Sequence, residues 1–291
     1  MFALTCPLYW YQGAGQYGED IFGHKIIFAV MVGKVSNGVD IYLRTLHIIR
    51  IVRDADMNMN NKIATIFGGT GFVGRQVVRE LAARGVRVKV ATRVPERAYF
   101  LKPAGTVGQV VPVECRYSDD SSIATAVAGS DFVINCVGIL FEKHKRLSFK
   151  NVHAALPAQI AAVCAKAEVE RFVHISALGV DKASSKYAKS KLEGEAAIVA
   201  NFPQAVILRP SVIFGEDDAF FNMFAKMAQV FPALPLIGGG KTKFQPVYVG
   251  DVADAVLAAL EKAEAQGQIY ELGGPEVVTF KEIYELLFEY T

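Results

Sequence analysis

From Ile63 onward, apolar and polar positions fall into blocks of two kinds. Short runs rich in β-branched residues read as strands: Ile63 to Phe67, Val86 to Val90, Val110 to Val113, Asp131 to Val137, Arg171 to Ser176 and Ala205 to Leu208. Between them lie stretches with helical spacing, Phe72 to Ala83, Ser121 to Val127 and Ala154 to Ala167. Strands alternating with helices predict an α/β fold, a doubly wound parallel sheet (Rossmann), because each crossover helix buries its apolar stripe on a face of the sheet. Beyond Pro210 the pattern loosens. A helix at Phe220 to Phe231, a Pro/Gly-rich connection (Pro232, Pro235, Gly238 to Gly240), a helix at Asp251 to Lys262 and a closing strand at Ile269 to Leu272 predict a small C-terminal substrate-side subdomain. The division expected is therefore a dinucleotide-binding core over residues 57–215 and a substrate-side part over 216–291. A last helical run, Phe280 to Phe288, reaches nearly to Thr291, so the chain is expected to be cut short there.

Residues 1–56 do not share this text. They are aromatic and glycine-dotted (Tyr9-Trp10-Tyr11-Gln12-Gly13), and their apolar run Ile26 to Val32 falls far short of a membrane span. Arg44, Arg50 and Arg53 faintly suggest a transit peptide, against which Glu19, Asp20 and Asp40 argue. Met57 and Met59 stand just upstream of the first core strand, where such a domain would begin. An upstream extension of doubtful structure, from a misplaced start codon, is the expectation.

Composition narrows the function classes. At 52% hydrophobic and 21% charged, the 291 residues can bury a full core. A net charge of +2 gives no reason to expect nucleic acid, and the cluster Lys143-His144-Lys145-Arg146 is short enough to be a solvated loop. Cys6, Cys115, Cys136 and Cys164 are widely spaced with no C-x-x-C, which implies a reducing compartment and no metal site.

The chemistry is concentrated at two places. Gly68, Gly71 and Gly74 follow the first core strand directly and open the first helix, which ends at Gly85 before a second strand begins. Glycines there let the backbone turn sharply and approach a pyrophosphate, while the helix N-terminus attracts the negative charge. No Gly-Lys-Ser/Thr follows, so an NTPase loop is not indicated. The second strand ends Ala91-Thr92-Arg93, where NAD-selective domains carry an acid for the adenosine ribose. Without that acid, Arg93 can grip a 2′-phosphate with Thr92 as a second donor and Arg97 as a helper, so NADP(H) is expected in preference to NAD(H). At the second place, Tyr187 and Lys191 stand one helical turn apart, where an ammonium can draw a phenol toward neutral pH. Ser176, at the carboxyl end of the preceding strand, is placed to orient a carbonyl or the Tyr187 side chain. Ser176, Tyr187 and Lys191 are thus the candidate catalytic residues.

Gly68-Gly69-Thr70-Gly71-Phe72-Val73-Gly74, Asn135-Cys136-Val137-Gly138, Tyr187-Ala188-Lys189-Ser190-Lys191, Arg209-Pro210-Ser211 with Phe214-Gly215, and Gln245-Pro246-Val247-Tyr248-Val249 before Asp251-Val252 follow in an order that resembles extended and atypical short-chain dehydrogenase/reductases. The resemblance covers about Ile63 to Phe288. It is most similar to the branch containing the Rossmann-type accessory subunit of respiratory complex I and its bacterial relatives, through the Gly-Gly-Thr-Gly-Phe-Val-Gly loop, Asn135 to Ile139, and the short gap from Ser176 to Tyr187. It implies cofactor contacts at Gly68, Thr70, Gly71, Phe72, Val73, Gly74, Val137, Gly138, Tyr187, Lys191 and Pro210, beside Thr92 and Arg93. It also implies NADPH held without assigned turnover. Two departures stand out: Cys115-Arg116-Tyr117 replaces the acid many members use to hold adenine, and the short Ser176 to Tyr187 gap removes part of a sugar pocket.

Two classes follow. One is an NADPH-holding accessory or assembly subunit of respiratory NADH:ubiquinone oxidoreductase, partnered by complex I subunits, cytoplasmic or peripheral on the inner face of a respiratory membrane, the matrix side in a eukaryote. The other is a working NAD(P)-dependent oxidoreductase or epimerase/dehydratase on a small substrate, a sugar nucleotide or quinone-pathway compound, with Tyr187 as general acid/base, Lys191 lowering its pKa and holding the ribose, and Ser176 orienting the substrate.

Overall fold

A computed structural model describes residues 30–33, 59–143, 147–230 and 236–290. Most of the N-terminal extension, the basic positions 144–146 and the prolines at 232 and 235 lie outside the described residues.

The strands are β1 (Val30–Gly33), β2 (Ile63–Phe67), β3 (Arg87–Thr92), β4 (Val110–Glu114), β5 (Phe132–Asn135), β6 (Arg171–Ile175), β7 (Val206–Pro210), β8 (Ile213–Phe214), β9 (Lys243–Phe244), β10 (Val247–Tyr248), β11 (Ile269–Gly273) and β12 (Val278–Thr279). The α-helices are α1 (Phe72–Ala83), α2 (Asp120–Val127), α3 (Leu156–Lys166), α4 (Lys186–Asn201), α5 (Phe220–Val230), α6 (Val249–Glu261) and α7 (Phe280–Tyr290). A 3₁₀ stretch, Pro95–Ala104, follows β3, and a π-helical turn, Lys150–Ala155, runs into α3. Neither was expected from the sequence pattern, which places the α3 start at Ala154.

The main sheet runs β1-β11-β7-β6-β5-β2-β3-β4. Every neighbour pair is parallel except β1 against β11, where Val30 lies opposite Gly273 and Gly33 opposite Tyr270. Four residues of the expected N-terminal extension thus sit at the sheet edge. Adjacent strand residues face opposite sides of the sheet, which separates two cores. Ile66 and Val88 pack with Val77, Val78 and Leu81 of α1 and Val252, Val256 and Leu260 of α6. On the other face Phe67, Val133 and Phe172 pack with Ile123 of α2, Ile160 and Cys164 of α3 and Ile198 of α4. Both faces are covered, as the strand and helix alternation predicts.

The expected division at 215/216 is crossed by the chain. After α5, which packs with α7 in an aromatic cluster of Phe224, Phe280 and Tyr284, the chain re-enters the core as α6 and adds β11 beside β7. The sequence hides this because β11 is short and half polar (Ile269-Tyr270-Glu271-Leu272-Gly273) and its partner strand lies some sixty positions away. From β2 the sheet grows outward through β3 and β4, then returns to β2's other side through β5. That reversal opens a crevice at the carboxyl ends of β2 and β5, the place where such sheets bind ligands.

Candidate functional site

At two positions of the crevice floor, Gly68 and Gly74, the backbone leaves no room for anything but glycine. Gly68 has φ +78°, and a Cβ there would lie 2.9 Å from Cys136 C and 3.0 Å from Val137 N at the end of β5. At Gly74 a Cβ would collide with Gly68 O and approach Gly69 Cα to 2.7 Å, so this glycine is required by the fold itself. Gly71 differs: its φ is −78° and an added Cβ would meet only Gly68 O, at 3.2 Å. Gly71 is also the N-cap of α1, and neither a side-chain cap nor an acidic residue occupies that helix start. The first-turn N–H groups, at Phe72, Val73 and Gly74, therefore have no acceptor inside the helix. Thr70 completes the loop. A helix start of this kind offers an anion its backbone N–H groups.

At one end of the loop, β3 delivers Thr92 and Arg93. Arg93 is exposed, forms no ion pair among the described residues, and holds its guanidinium 6.0 Å from the Tyr117 ring centre. The Tyr117 hydroxyl donates to Ala91 O at 2.8 Å, and burial pushes its pKa up to about 12, so the ring is a fixed, neutral platform. Arg97 is exposed on the 3₁₀ stretch that follows.

Side chains build the other end. Asn135, the last residue of β5, accepts Val137 N–H on Oδ1 at 3.0 Å and donates from Nδ2 to His174 Nδ1 at 3.1 Å, which fixes the turn into Val137 and Gly138. A Cβ built on Gly138 would sit 3.5 Å from Lys191 Nζ, so α4 brings this ammonium to the turn's backbone. Lys191 is buried and donates to Ile175 O at 3.0 Å, and no carboxylate pairs with it among the described residues. Desolvation lowers its pKa to about 8, against the attraction of Glu195. An ammonium with one hydrogen bond made and further N–H donors open, beside a glycine backbone and a helix N-terminus free of acid, fits the ribose and pyrophosphate of a dinucleotide.

Tyr187 lies on the same helix, half-buried and edge-on to His153 and Phe149 at 5.1 and 5.8 Å between ring centres. Its pKa is raised, by burial. The Lys191 ammonium, which the spacing suggests as the group that would lower this phenol, donates to the Ile175 carbonyl. Ser176 also departs from its expected place. Its hydroxyl donates to Glu195 in a buried cluster, where Arg209 clamps Glu195 with Nε at 3.0 Å and Nη2 at 2.7 Å and reaches Asp181 at 3.1 Å. No hydrogen bond joins Ser176 to Tyr187 among the described residues. The structure therefore brings Tyr187, Lys191 and Gly138 together and leaves Ser176 in an ion-pair lattice. Pro210 ends β7 and is buried, its carbonyl accepting Leu178 N–H at 2.9 Å.

Glu195 was detectable in the sequence, one further turn beyond Lys191 on the same helix face. His153 carried no such signal.

A family model described as the NAD dependent epimerase/dehydratase family matches residues 64–273. The chain belongs to this family. The NADH dehydrogenase [ubiquinone] 1 alpha subcomplex subunit 9, mitochondrial, of Arabidopsis thaliana is 36% identical over 247 residues, covering 84% of this chain and 61% of that protein. The protein of the same name from Mus musculus is 37% identical over 237 residues, covering 80% and 62%. The NADH-ubiquinone oxidoreductase 40 kDa subunit of Neurospora crassa is 31% identical over 263 residues, covering 87% and 69%. The chain thus spans a little over three-fifths of the length of the subunit 9 proteins it matches. Among solved structures, the Bordetella bronchiseptica enzyme WbmF in complex with NAD+ superposes with a TM-score of 0.67 at 20% identity, over 79% of this chain and 78% of that one. That likeness establishes the fold. Among the described residues, no helix is long and apolar enough to cross a membrane.

Proposed function

We propose that this family member is an NADP(H)-holding accessory or assembly subunit of respiratory complex I, peripheral on the inner, matrix-equivalent face. The observation that carries holding over turnover is the engagement of Ser176 by Glu195, which Arg209 in turn clamps. The hydroxyl that would orient a substrate is consumed in the core, while the groups that would hold a cofactor, the glycine loop, Arg93 and Lys191, stay open. Similarity to the subunit 9 and 40 kDa proteins supports the partner. When bound, the nicotinamide would supply hydride-transfer capacity. Binding only to the folded chain, the dinucleotide stabilises it by about 2.7 kcal/mol when present at roughly a hundred times its dissociation constant.

The preference for NADP(H) rests on Arg93. An arginine with no ion-pair partner among the described residues, lying over a neutral ring at the end of β3 where no acid stands, suits a 2′-phosphate. Arg93→Ala should weaken NADPH roughly tenfold to a hundredfold and leave NADH nearly unchanged, as calorimetry would measure. Equal losses for both cofactors would remove Arg93 from that role. The partner is tested separately, by fractionating native membrane extract: co-migration with complex I and release of NADP(H) on denaturation are expected, and a wholly free soluble pool would refute the subunit assignment.

A further inference from the structure

His153 is fully buried and joins three segments that are distant in sequence. It sits in the π-helical turn Lys150–Ala155, whose wider winding departs from the α-helical course of α3. Its Nε2 lies 3.0 Å from Ile139 N, in the turn after β5, and its Nδ1 lies 3.0 Å from Ser190 Oγ on α4. Ser190 Oγ in turn lies 2.7 Å from Tyr187 O.

The directions of these bonds are determined by elementary chemistry. A backbone N–H only donates, so Nε2 must be an acceptor and the ring proton must sit on Nδ1. Nδ1 then donates to Ser190 Oγ, which leaves the serine proton for the Tyr187 carbonyl. Burial and the Lys191 charge lower the His153 pKa to about 3, which keeps the ring in this neutral form. The ring is also clamped, stacked on Phe149 with 5.3 Å between ring centres and a 19° tilt, and edge-on to Tyr187. Gly138 lies between the clamped groups: a Cβ there would be 3.9 Å from His153 Nε2 and 3.5 Å from Lys191 Nζ.

We infer that His153 is a positioning residue for the nicotinamide-ribose half of the bound dinucleotide, fixing the Val137 to Ile139 backbone against the turn of α4 that carries Tyr187 and Lys191. It touches neither the glycine loop nor Arg93 by any hydrogen bond, so the adenosine half is held without it. The inference rests on the dinucleotide reading of the crevice.

Calorimetry with two probes, NADPH and ADP, on the full chain separates the possibilities. His153→Leu should weaken NADPH about tenfold, the scale of one to two buried hydrogen bonds, and leave ADP within about twofold. His153→Gln, whose amide oxygen can take over the Nε2 acceptor role, should recover most of the NADPH affinity. Ser190→Ala keeps the ring and cuts the chain at the hydroxyl, so it gives the same pattern at smaller size and serves if His153→Leu does not fold. Equal weakening of both probes in Ser190→Ala and His153→Gln, or unchanged NADPH affinity in His153→Leu, would overturn the inference. Wild-type protein that binds neither probe would instead remove the dinucleotide reading beneath it.

Discussion

The two ends of the crevice are built from different materials. At the glycine-loop end the groups that would face a ligand are backbone N–H groups, glycines and one exposed arginine, all within Gly68 to Arg93, with the Tyr117 ring beside the arginine and the end of β5 and helix α6 packed behind the loop and its helix. At the Tyr187 end the groups are mostly buried side chains gathered from β5, the π-turn, β6 and α4, tied by hydrogen bonds to one another and to the backbone of neighbouring segments. At Gly71 and Arg93 the first end can change its ligand contacts at small cost to the fold. At the second, ligand contacts and core stability share residues.

The sharpest way to break this comparison is at Glu195. It accepts from Arg209 on both oxygens and from Ser176, all buried. Removing one partner of a buried ion pair leaves the other charge uncompensated, so Glu195→Ala should lose about 3–5 kcal/mol of stability in denaturant titration. A loss under about 1 kcal/mol would mean that the cluster is not part of the core's support.

Within the glycine loop, two substitutions of one kind should part company. Gly74→Val drives a side chain into Gly68 and Gly69 and should destabilise by about 1–3 kcal/mol or more, seen as a lowered Tm. Gly71→Val meets only Gly68 O, so Tm should move little while dinucleotide affinity collapses. Full NADPH affinity in folded Gly71→Val would refute the pyrophosphate site.

Asp251 tests whether the helix backing that loop is itself tuned. It is buried at the start of α6, Oδ1 has no hydrogen-bond partner among the described residues, and desolvation with the nearby Asp254 pushes its pKa up to about 7. The unfolded carboxyl titrates in the ordinary range near 4. Between those values the folded chain retains a proton that the unfolded chain releases, so stability falls as pH rises from about 4 to 7 and stays reduced above. Asp251→Asn should flatten that slope and gain about 2–4 kcal/mol at pH 8. A denaturation series showing an unchanged slope in the variant would clear Asp251 of this role.

The smallest effect is expected at Tyr187. Tyr187→Phe removes one hydroxyl and keeps the ring packed on His153, so NADPH affinity should change by about 1 kcal/mol or less. Should a turnover be found, the same change should reduce it by roughly 10²–10⁴, and a rate within a few-fold of wild type would exclude proton transfer by this phenol.

Much of the first end could be read directly from the chain. A glycine loop between an apolar strand and an amphipathic helix, and Arg93 in place of an acid, are local features whose meaning depends on neighbours within thirty positions, from Ile63 to Arg93. The second end was legible only in part. Tyr187 and Lys191 were found by their spacing, but Ser176 was assigned by its place at a strand end, and the structure turns its hydroxyl inward to Glu195.

The sequence by itself determined the alternation of strands and helices, the glycine turn between β2 and α1 and the identity of the cationic groups, because periodicity, glycine placement and formal charge are properties of short stretches. Only the tertiary structure decided where those groups point. Whether Lys191 faces Tyr187 or the Ile175 carbonyl, whether Ser176 meets a ligand or an ion pair, and which proton His153 carries all depend on partners 14 to 37 positions away. Such contacts form when β5, β6 and α4 pack around one buried site, where each polar atom must find a hydrogen bond within reach. The return of β11 to the sheet belongs to the same category, since a five-residue strand acquires its place from the β7 edge it pairs with rather than from its own composition.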